Sequence, residues 1–421
     1  MTAAPAPGRS LPALLRFAAV AATALSLAYL VGRDGSPLWQ GLRVLAVVLA
    51  AAGAAALVPR SDRRLRGPAL LVLGVAGAAA GAGIAASWLA KTGFGITALA
   101  GAIALTAGLG SLILGFVDLF SAGRGRLRRA ALVLSIPVVA ILLLSLAIAV
   151  AATNVPPTAL GDETPHDRGL PYDPAEFTTE DGVTLYGWYL PSQNGAAVVL
   201  AHGAGSTRSA VLDQAAVLAR AGYGVLLFDA RGHGESGGRA MDFGWFGDSD
   251  IGAAVTYLVG RPGVNAGRIA AIGLSMGGEQ AIGAAAGDPR LQGVVAEGAP
   301  GRTAADKSWL SEEYGFRGWV QEGVDHLIYW CADLLTSARP PLSLRDAAAR
   351  MAPRPLLLIT AGDVPDERLA AEHVQAAAPA TVQVWDVPGA GHTSGLATAP
   401  DEWANRVLAF LDGLLLKAAE G

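Results

Sequence analysis

The sequence predicts a doubly wound α/β domain with a mostly parallel sheet and a small helical lid, preceded by an all-α transmembrane region of about five helices. Three observations predict this fold class. The 421 residues are 52% hydrophobic and only 16% charged, which is more apolar than an ordinary soluble protein. The excess lies in residues 1–155, where long apolar runs alternate with short polar connectors. In the second half, short β-rich runs alternate with helical stretches, which favours parallel strands joined by right-handed crossovers.

Residues 1–153 are predicted to form the transmembrane region, because each apolar run approaches the roughly 20 residues that a helix needs to cross a bilayer. The predicted spans are 11–31, 41–58, 69–90, 94–118 and 130–152. For the first run the alternative is a cleaved signal peptide, although no small-residue cleavage site is evident. Gly77 and Gly81 have a four-residue spacing that suits close helix packing in lipid. Without a buried acid and base series, the region is expected to be an anchor rather than a transporter.

Basic residues are concentrated in two of the four connectors. They are Arg60, Arg63, Arg64 and Arg66 in the second connector and Arg124, Arg126, Arg128 and Arg129 in the fourth. The positive-inside rule places these connectors in the cytoplasm. With five spans in the cell membrane, the N-terminus with Arg9 is also inside, and everything after residue 153 is extracytoplasmic. Loss of the Gly- and Ala-rich third span would invert this orientation.

Charge and cysteine content exclude several functions. Residues 1–155 hold 13 Lys and Arg against 3 Asp and Glu, which leaves 18 against 32 for the rest of the chain. An acidic second half without a basic stripe argues against nucleic acid as a partner. No phosphate-binding loop or dinucleotide fingerprint stands out, so no cofactor is predicted. The single cysteine, Cys331, excludes an intrachain disulfide, and no Cys/His cluster has zinc spacing.

Residues 154–176 are rich in Pro and acidic residues and are predicted to be a linker. The α/β domain then covers residues 177–421. Its predicted strands are 183–190, 196–201, 224–229, 268–273, 293–297, 355–360 and 381–387. Its predicted helices are 207–221, 248–260, 277–287, 366–378 and 400–417. The later strands are apolar on both faces, as a sheet covered on both sides requires.

Ser275 is the candidate nucleophile. It lies two residues after strand 268–273 and just before a helix, in a Gly-x-Ser-x-Gly pattern. In a chain with 54 glycines the pattern alone is weak, because a serine in a tight turn also produces it. The strand-to-helix context is that of a nucleophile elbow, in which Gly273 and Gly277 allow a sharp turn with the serine at its apex. A doubly wound sheet places its functional groups at the carboxyl ends of its strands, where Ser275 lies.

His392 is the candidate base that a serine hydroxyl needs. It lies in a loop after the last strand, as the chain order serine, acid, histidine requires. The alternative is a surface histidine without a role. The other histidines are His166, His202, His233, His326 and His373.

The triad acid is expected after strand 355–360, in the segment TAGDVPDERLA. Asp366 is the first choice, followed by Glu367 and then Asp363. Asp363 is close to the end of the strand, and either of the other two could simply cap the next helix. The acid would orient His392 and stabilise its imidazolium form.

The loop LAHGAGST after strand 196–201 is the candidate oxyanion loop. Its Ala204 N–H is predicted to pair with the N–H of Met276 and to hold the oxyanion of an acyl-transfer intermediate. The alternative is a tight turn without a role in catalysis.

Five segments in this order resemble the α/β-hydrolase superfamily, in particular its serine aminopeptidase-like and dienelactone hydrolase-like branch. They are TTEDGVTLYGWYLP, VVLAHGAGST, LLFDARGHGES, RIAAIGLSMGGE and VWDVPGAGHT. The resemblance covers about residues 177–417 and implies a serine hydrolase with Ser275 as nucleophile, His392 as base and a carboxylate near Asp366. The DARGHGES loop is shared family architecture and is interpreted as structural. The usual Gly-x-x-Asp spacing is missing, since Pro365 stands third after Gly362, so the acid stays open.

An insertion of about residues 300–353 lies where a lid enters this fold. It contains Trp309, Tyr314, Phe316, Trp319, Tyr329 and Trp330. We predict that it covers an apolar site, the alternative being a helical pair with its own small core. The predicted function is a membrane-anchored serine esterase that acts on a small-molecule or lipid-like acyl substrate. A peptidase, an aminopeptidase or an acyltransferase are alternatives, and a non-catalytic membrane binding protein is the alternative from another class.

Overall fold

The structure is a computed structural model that describes residues 11–31, 37–57, 63–122 and 125–416. Arg9, Arg60 and Arg124, which enter the predicted topology, lie outside the described residues. The chain divides into two compact units. The helical unit is Met1–Pro156 with Val324–Ser337, and the sheet unit is Pro157–Gly323 with Ala338–Gly421.

Helices form where the five apolar runs were predicted. They are α1 (Leu11–Val31), α2 (Pro37–Leu57), α3 (Arg63–Thr92), α4 (Ile96–Ala122) and α5 (Arg126–Thr153). Among the described residues, α3, α4 and α5 are long and apolar enough to cross a membrane, with mean hydropathies of 2.1, 2.0 and 2.9. The described parts of α1 and α2 contain shorter apolar stretches. The helical region is therefore as predicted, and three helices among the described residues fit a membrane. The five spans stay a prediction.

Helices α3 and α4 pack against each other along glycines that recur every seven residues. The glycines are Gly67, Gly74 and Gly81 on α3 and Gly101, Gly108 and Gly115 on α4. A Cβ atom on Gly74 would lie 2.7 Å from the backbone nitrogen of Leu112, which no real Cβ tolerates. The two backbones can approach this closely only because side chains are absent along the line. Gly81 belongs to this contact, whereas Gly77 faces Thr23 of α1, so the two residues serve different neighbours.

A bidentate ion pair joins the start of α3 to the end of α4. Arg66 donates from Nε to Asp118 at 2.6 Å and from a terminal nitrogen to the same carboxylate at 2.9 Å. The two side chains are only 12% and 8% exposed. Paired charges with matched geometry are the form in which buried charge is tolerated.

We expect Gly108→Ala to destabilise the helical unit, because a Cβ at this position overlaps the backbone of Ala78. The free energy of unfolding should fall by about 1–3 kcal/mol, as overpacking of a tight contact does. Gly110→Ala is the matched control on the same helix, since a Cβ at Gly110 has nothing within 4 Å. Thermal unfolding of the purified full-length protein in detergent measures both. Equal effects of the two substitutions would contradict the glycine contact.

The sheet unit contains an eight-stranded, mostly parallel sheet among the described residues, as predicted. Its strands are β1 (Asp173–Thr178), β2 (Thr184–Leu190), β3 (Ala197–Ala201), β4 (Gly224–Phe228), β5 (Ile269–Leu274), β6 (Leu291–Glu297), β7 (Leu356–Ala361) and β8 (Val382–Val387). The strand order is β1-β2-β4-β3-β5-β6-β7-β8. The β1–β2 and β2–β4 pairs are antiparallel, and the others are parallel.

Helices cover both faces of this sheet. Those of the sheet unit are α6 (Leu212–Arg220), α7 (Gly247–Val259), α8 (Met276–Gly287), α9 (Leu310–Tyr314), α11 (Leu344–Met351), α12 (Pro365–Gln375), α13 (Gly395–Thr398) and α14 (Pro400–Leu411), and α10 (Phe316–Leu335) begins in it. Along β3, Val199 faces one buried cluster while Val198 and Leu200 face the other. The fully apolar strand is thus explained by burial on both faces.

The predicted linker 154–176 is partly structured. Its last residues begin β1, and Thr158 bridges to His233 of the sheet unit. β1 pairs on one side only, and its exposed positions alternate with the buried Ala175 and Phe177. A short edge strand with so few apolar residues carries a weak sequence signal. The Pro and acidic residues around it therefore predict a linker instead of a strand.

The register of the parallel strands aligns their carboxyl ends. Ala201 pairs with Gly273, and Leu274 pairs with Glu297. The loops after β3, β5 and β6 therefore start side by side at one edge of the sheet.

Candidate active site

Ser275 occupies the turn between β5 and α8 with a strained backbone. Its φ of 53° and ψ of −123° lie in a region that residues with a side chain rarely adopt. Its N–H donates to the carbonyl of Glu297 at 2.7 Å, which ties the turn to β6. A Cβ on Gly277 would lie 2.5 Å from the carbonyl oxygen of Ala201. The turn therefore requires a glycine two residues after the serine, because β3 passes against it.

A continuous line of hydrogen bonds runs from Ser275 through His392 to Glu367. The Ser275 Oγ lies 3.0 Å from His392 Nε2, and His392 Nδ1 lies 2.6 Å from Glu367 Oε1. The other carboxylate oxygen of Glu367 accepts the Ala361 N–H at 3.0 Å. The Glu367 side chain is 4% exposed and that of His392 is 47% exposed. A buried carboxylate thus holds a half-exposed imidazole against the serine.

The hydrogen bond to Glu367 raises the pKa of His392, against the smaller opposing effect of burial. With Nδ1–H donating to the carboxylate, the neutral ring presents the lone pair of Nε2 to the Ser275 hydroxyl. This tautomer can accept a proton from the serine.

The structure places Asp366 and Asp363 away from His392, whereas Glu367, the second choice for the acid, contacts its ring. Asp366 is exposed and accepts a hydrogen bond from the Tyr314 hydroxyl at 2.5 Å. Asp363 is exposed, and its N–H donates to the carbonyl of Ala390 at 3.0 Å. Pro365 begins α12, so Glu367 turns back toward the sheet while Asp366 faces outward. The sequence order could not reveal which side of this first helical turn faces β7.

The loop after β3 reaches the serine through Gly203. A Cβ on Gly203 would lie 3.3 Å from Ser275 Cβ, so the backbone of this loop passes directly beside the nucleophile candidate. Ala204 is the next residue and is exposed. Met276 follows Ser275 as the first residue of α8 and is buried. Met276 therefore adjoins Ser275 directly, whereas Ala204 follows the residue whose backbone lies beside it; their role as an oxyanion hole stays a prediction.

Glu297 is a further carboxyl group near the site that was not singled out from the sequence. It ends β6, is 3% exposed, and accepts the Gly395 N–H at 2.7 Å and the Trp403 indole N–H at 2.9 Å. Burial raises its pKa. Because Gly395 belongs to the loop that carries His392, Glu297 anchors that loop. An acid at the end of the apolar run GVVAE was the signal available in the sequence.

Two backbone positions near His392 restrict its ring. Thr393 has a φ of 54°, which is rare for a β-branched residue. Gly298 has a φ of 64°, and a Cβ there would lie 3.0 Å from His392 Cε1. The ring is therefore bounded on one side by the glycine that follows β6.

The insertion packs its first part on the helix that carries Glu367. Trp309 and Leu310 cluster with Ala370 of α12, next to the hydrogen bond between Tyr314 and Asp366. Farther along, Phe316 and Trp319 are 78% and 63% exposed. The insertion is helical, and its role as a lid over the site stays a prediction.

The sequence of this chain is similar to those of known hydrolases and of a transferase. A family model described as serine aminopeptidase, S33, matches residues 192–329. A thiohydrolase of Aspergillus aculeatus is 40% identical over 128 residues, which are 30% of this chain and 40% of the relative. A polyketide transferase of a Penicillium species is 38% identical over 138 residues, which are 30% of this chain and 45% of the relative.

A solved structure of an esterase of Pyrococcus furiosus is similar to the second half of the chain. It is 28% identical with a TM-score of 0.50, and the match covers 62% of this chain and 97% of the esterase. The chain spans less than half the length of the two curated relatives. The fold predicted from the sequence, including its resemblance to α/β hydrolases, is confirmed.

We expect the pKa of His392 to lie above its usual value of about 6.5 and to fall in Glu367→Gln, because the substitution removes the carboxylate that stabilises the imidazolium. Histidine NMR titration of the full-length protein measures both values. Asp366→Asn is the matched control, a carboxyl-to-amide change at the adjacent residue that should leave this pKa unchanged. A lower pKa in Asp366→Asn and not in Glu367→Gln would assign the acid to Asp366.

Proposed function

We propose that this chain, whose second half has the α/β-hydrolase fold, is a membrane-anchored serine hydrolase that cleaves carboxylic esters through an acyl-enzyme on Ser275. The observation that carries the proposal is the line of hydrogen bonds from Ser275 Oγ to His392, at 3.0 Å, and from His392 to Glu367, at 2.6 Å. Nucleophile, base and acid in this contact are what acyl transfer requires.

In the first step, Ser275 Oγ attacks the ester carbonyl and His392 Nε2 takes the hydroxyl proton. Glu367 stabilises the imidazolium without accepting the proton. The tetrahedral intermediate collapses, the C–O bond to the alcohol breaks, and His392 returns the proton to the leaving alcohol. Water then attacks the acyl-enzyme with His392 as base and releases the acid.

The negative oxygen of the intermediate needs donors fixed in advance. We assign this role to the N–H groups of Met276, which follows Ser275 in the chain, and of Ala204, which follows Gly203 in the loop beside the serine. The N-terminal end of α8 begins at Met276 and adds a favourable dipole to the same place. Loss of one such donor costs about a hundredfold to a thousandfold in rate.

The substrate class rests on the relatives and on the lid. An esterase and a thiohydrolase are among the similar proteins, and both names denote cleavage at an acyl carbonyl. The insertion supplies aromatic side chains such as Trp309 and Tyr314 beside α12. These features favour an apolar acyl substrate, small or lipid-like.

Acyl transfer is the second candidate, because one relative is named a polyketide transferase. Both reactions share the acyl-enzyme, and they differ in whether water or another nucleophile completes the second step. Product analysis with an added alcohol separates them, since a transferase forms the new ester in preference to the free acid.

We expect Ser275→Ala to abolish both hydrolysis of a p-nitrophenyl ester and labelling by a fluorophosphonate probe. The rate should fall by a factor on the order of 10⁴ or more, because no other group replaces the nucleophile. Ser308→Ala, a change at an exposed serine of the insertion, is the matched control and should keep both activities. A folded wild-type protein that the probe does not label would refute the proposed function.

We further propose that the helical unit anchors the protein in the cell membrane with the hydrolase outside the cytoplasm. The argument is the cluster of arginines in alternate connectors. Alkaline phosphatase fused after Leu160 should therefore be active, and the same reporter fused after Gly125 should be inactive. The opposite pattern would place the hydrolase in the cytoplasm.

A further inference from the structure

Two histidines beside the site have no role in the proposed mechanism. His202 and His233 are each 1% exposed, and their rings meet edge to face with centroids 5.1 Å apart. His202 follows β3, and His233 lies in the loop after β4. Both contact the backbone of the short segment Gly203–Gly205, which contains the proposed oxyanion donor Ala204.

The hydrogen bonds of His202 define its tautomer. Its Nε2 accepts the Ala230 N–H at 3.0 Å, so this nitrogen carries no proton. The proton is on Nδ1, which donates to the carbonyl of Gly203 at 2.8 Å. Burial lowers the pKa of His202 to about 4, so the ring stays neutral near pH 7. His202 is therefore a permanent donor to the Gly203 carbonyl.

Ser206 adds two more donors to the same carbonyl oxygen. Its hydroxyl donates at 3.0 Å and its N–H at 3.3 Å. In a trans peptide the carbonyl of one residue and the N–H of the next point in opposite directions. Donors that fix the Gly203 carbonyl therefore also fix the direction of the Ala204 N–H.

His233 fixes the peptide group on the other side of Ala204. Its Nε2 accepts the Gly205 N–H at 3.3 Å, and its Nδ1 donates to the carbonyl of Arg231 at 3.1 Å. The Ala204–Gly205 peptide is thereby held as well. Among the described residues, no hydrogen-bond acceptor contacts the Ala204 N–H itself. The Gly203 carbonyl and the Gly205 N–H are thus both hydrogen-bonded, and the Ala204 N–H between them can donate to a ligand.

We propose that His202 and His233 are positioning residues that hold the Ala204 N–H in place for the oxyanion formed at Ser275. The inference rests on the proposed function. Gly203 brings the segment against the nucleophile, since a Cβ on it would lie 4.0 Å from Ser275 Oγ. Rotation of the Gly203–Ala204 peptide would turn the carbonyl toward the reacting oxygen and repel its charge. The histidines prevent this rotation, so the donor needs no rearrangement during the reaction.

His202→Gln and His202→Asn form a matched pair that tests the positioning role. The amide of Asn reaches the position of Nδ1 and keeps a donor to the Gly203 carbonyl, whereas the amide of Gln reaches the position of Nε2 and does not. In the full-length protein, His202→Gln should lower kcat about tenfold to a hundredfold with KM unchanged. His202→Asn should retain most of kcat. The Ki of a trifluoromethyl ketone, which forms an oxyanion on Ser275, should rise by the factor by which kcat falls.

Ser206→Ala, which removes one donor from the same carbonyl, should show a smaller change of the same kind, and Ser206→Thr should restore it. If His202→Gln does not fold, the comparison of Ser206→Ala with Ser206→Thr tests the positioning role instead.

Unchanged kcat and Ki in both His202→Gln and Ser206→Ala would overturn the positioning role. Equal losses in His202→Gln and His202→Asn would also overturn it, because they would show a structural role only. Wild-type protein without turnover that depends on Ser275 would overturn the proposed function and this inference together. Wild-type turnover that depends on Ser275, with kcat and Ki unchanged in both His202→Gln and Ser206→Ala, overturns this inference alone.

Discussion

The left-handed backbone at Ser275 is the constraint on which the arrangement of the site depends. To turn from β5 into α8 at a single residue, the chain brings its backbone against β3 and β6 at once. Gly277 leaves room for the carbonyl of Ala201, where a Cβ would lie only 2.5 Å away, and Gly203 lets the loop after β3 lie against Ser275. The same closeness aligns the loops after β3 and β6 with the serine. The strained serine and the glycines around it thus form one feature, because a Cβ has no room at Gly277 and little room at Gly203.

Two buried carboxylates, Glu367 and Glu297, have different roles around His392. Glu367 follows β7 and contacts the ring itself, whereas Glu297 ends β6 and contacts the loop through Gly395. Burial raises the pKa of Glu297, and its partners are an amide and an indole N–H rather than a cation. Glu297 therefore organises backbone, while Glu367 supplies the charge next to the imidazole. The difference follows from which donors each carboxylate meets.

The sequence was sufficient for the fold because the alternation of short apolar runs with helical stretches, and the order of the motifs around Ser275 and His392, can be recognised without knowing where one particular side chain points. The acid was different. Asp366 and Glu367 are adjacent on the first turn of α12, and only the direction of that turn against β7 decides which one points inward. Edge strand β1 was missed because its two buried residues give little apolar signal. The role of Glu297 depends on a long-range contact with Trp403, which no local pattern contains.

His392 and His202 show how the environment alone assigns different tasks to one residue type. His392 is half exposed and bonded to a carboxylate, which raises its pKa and suits it to exchange a proton. His202 is buried without a carboxylate partner, and its pKa falls far below neutrality. A ring that cannot take up a proton near pH 7 keeps the same donor and acceptor throughout a reaction cycle. Such a ring is a poor base, but it can hold a peptide group in one orientation while His392 changes its charge beside it.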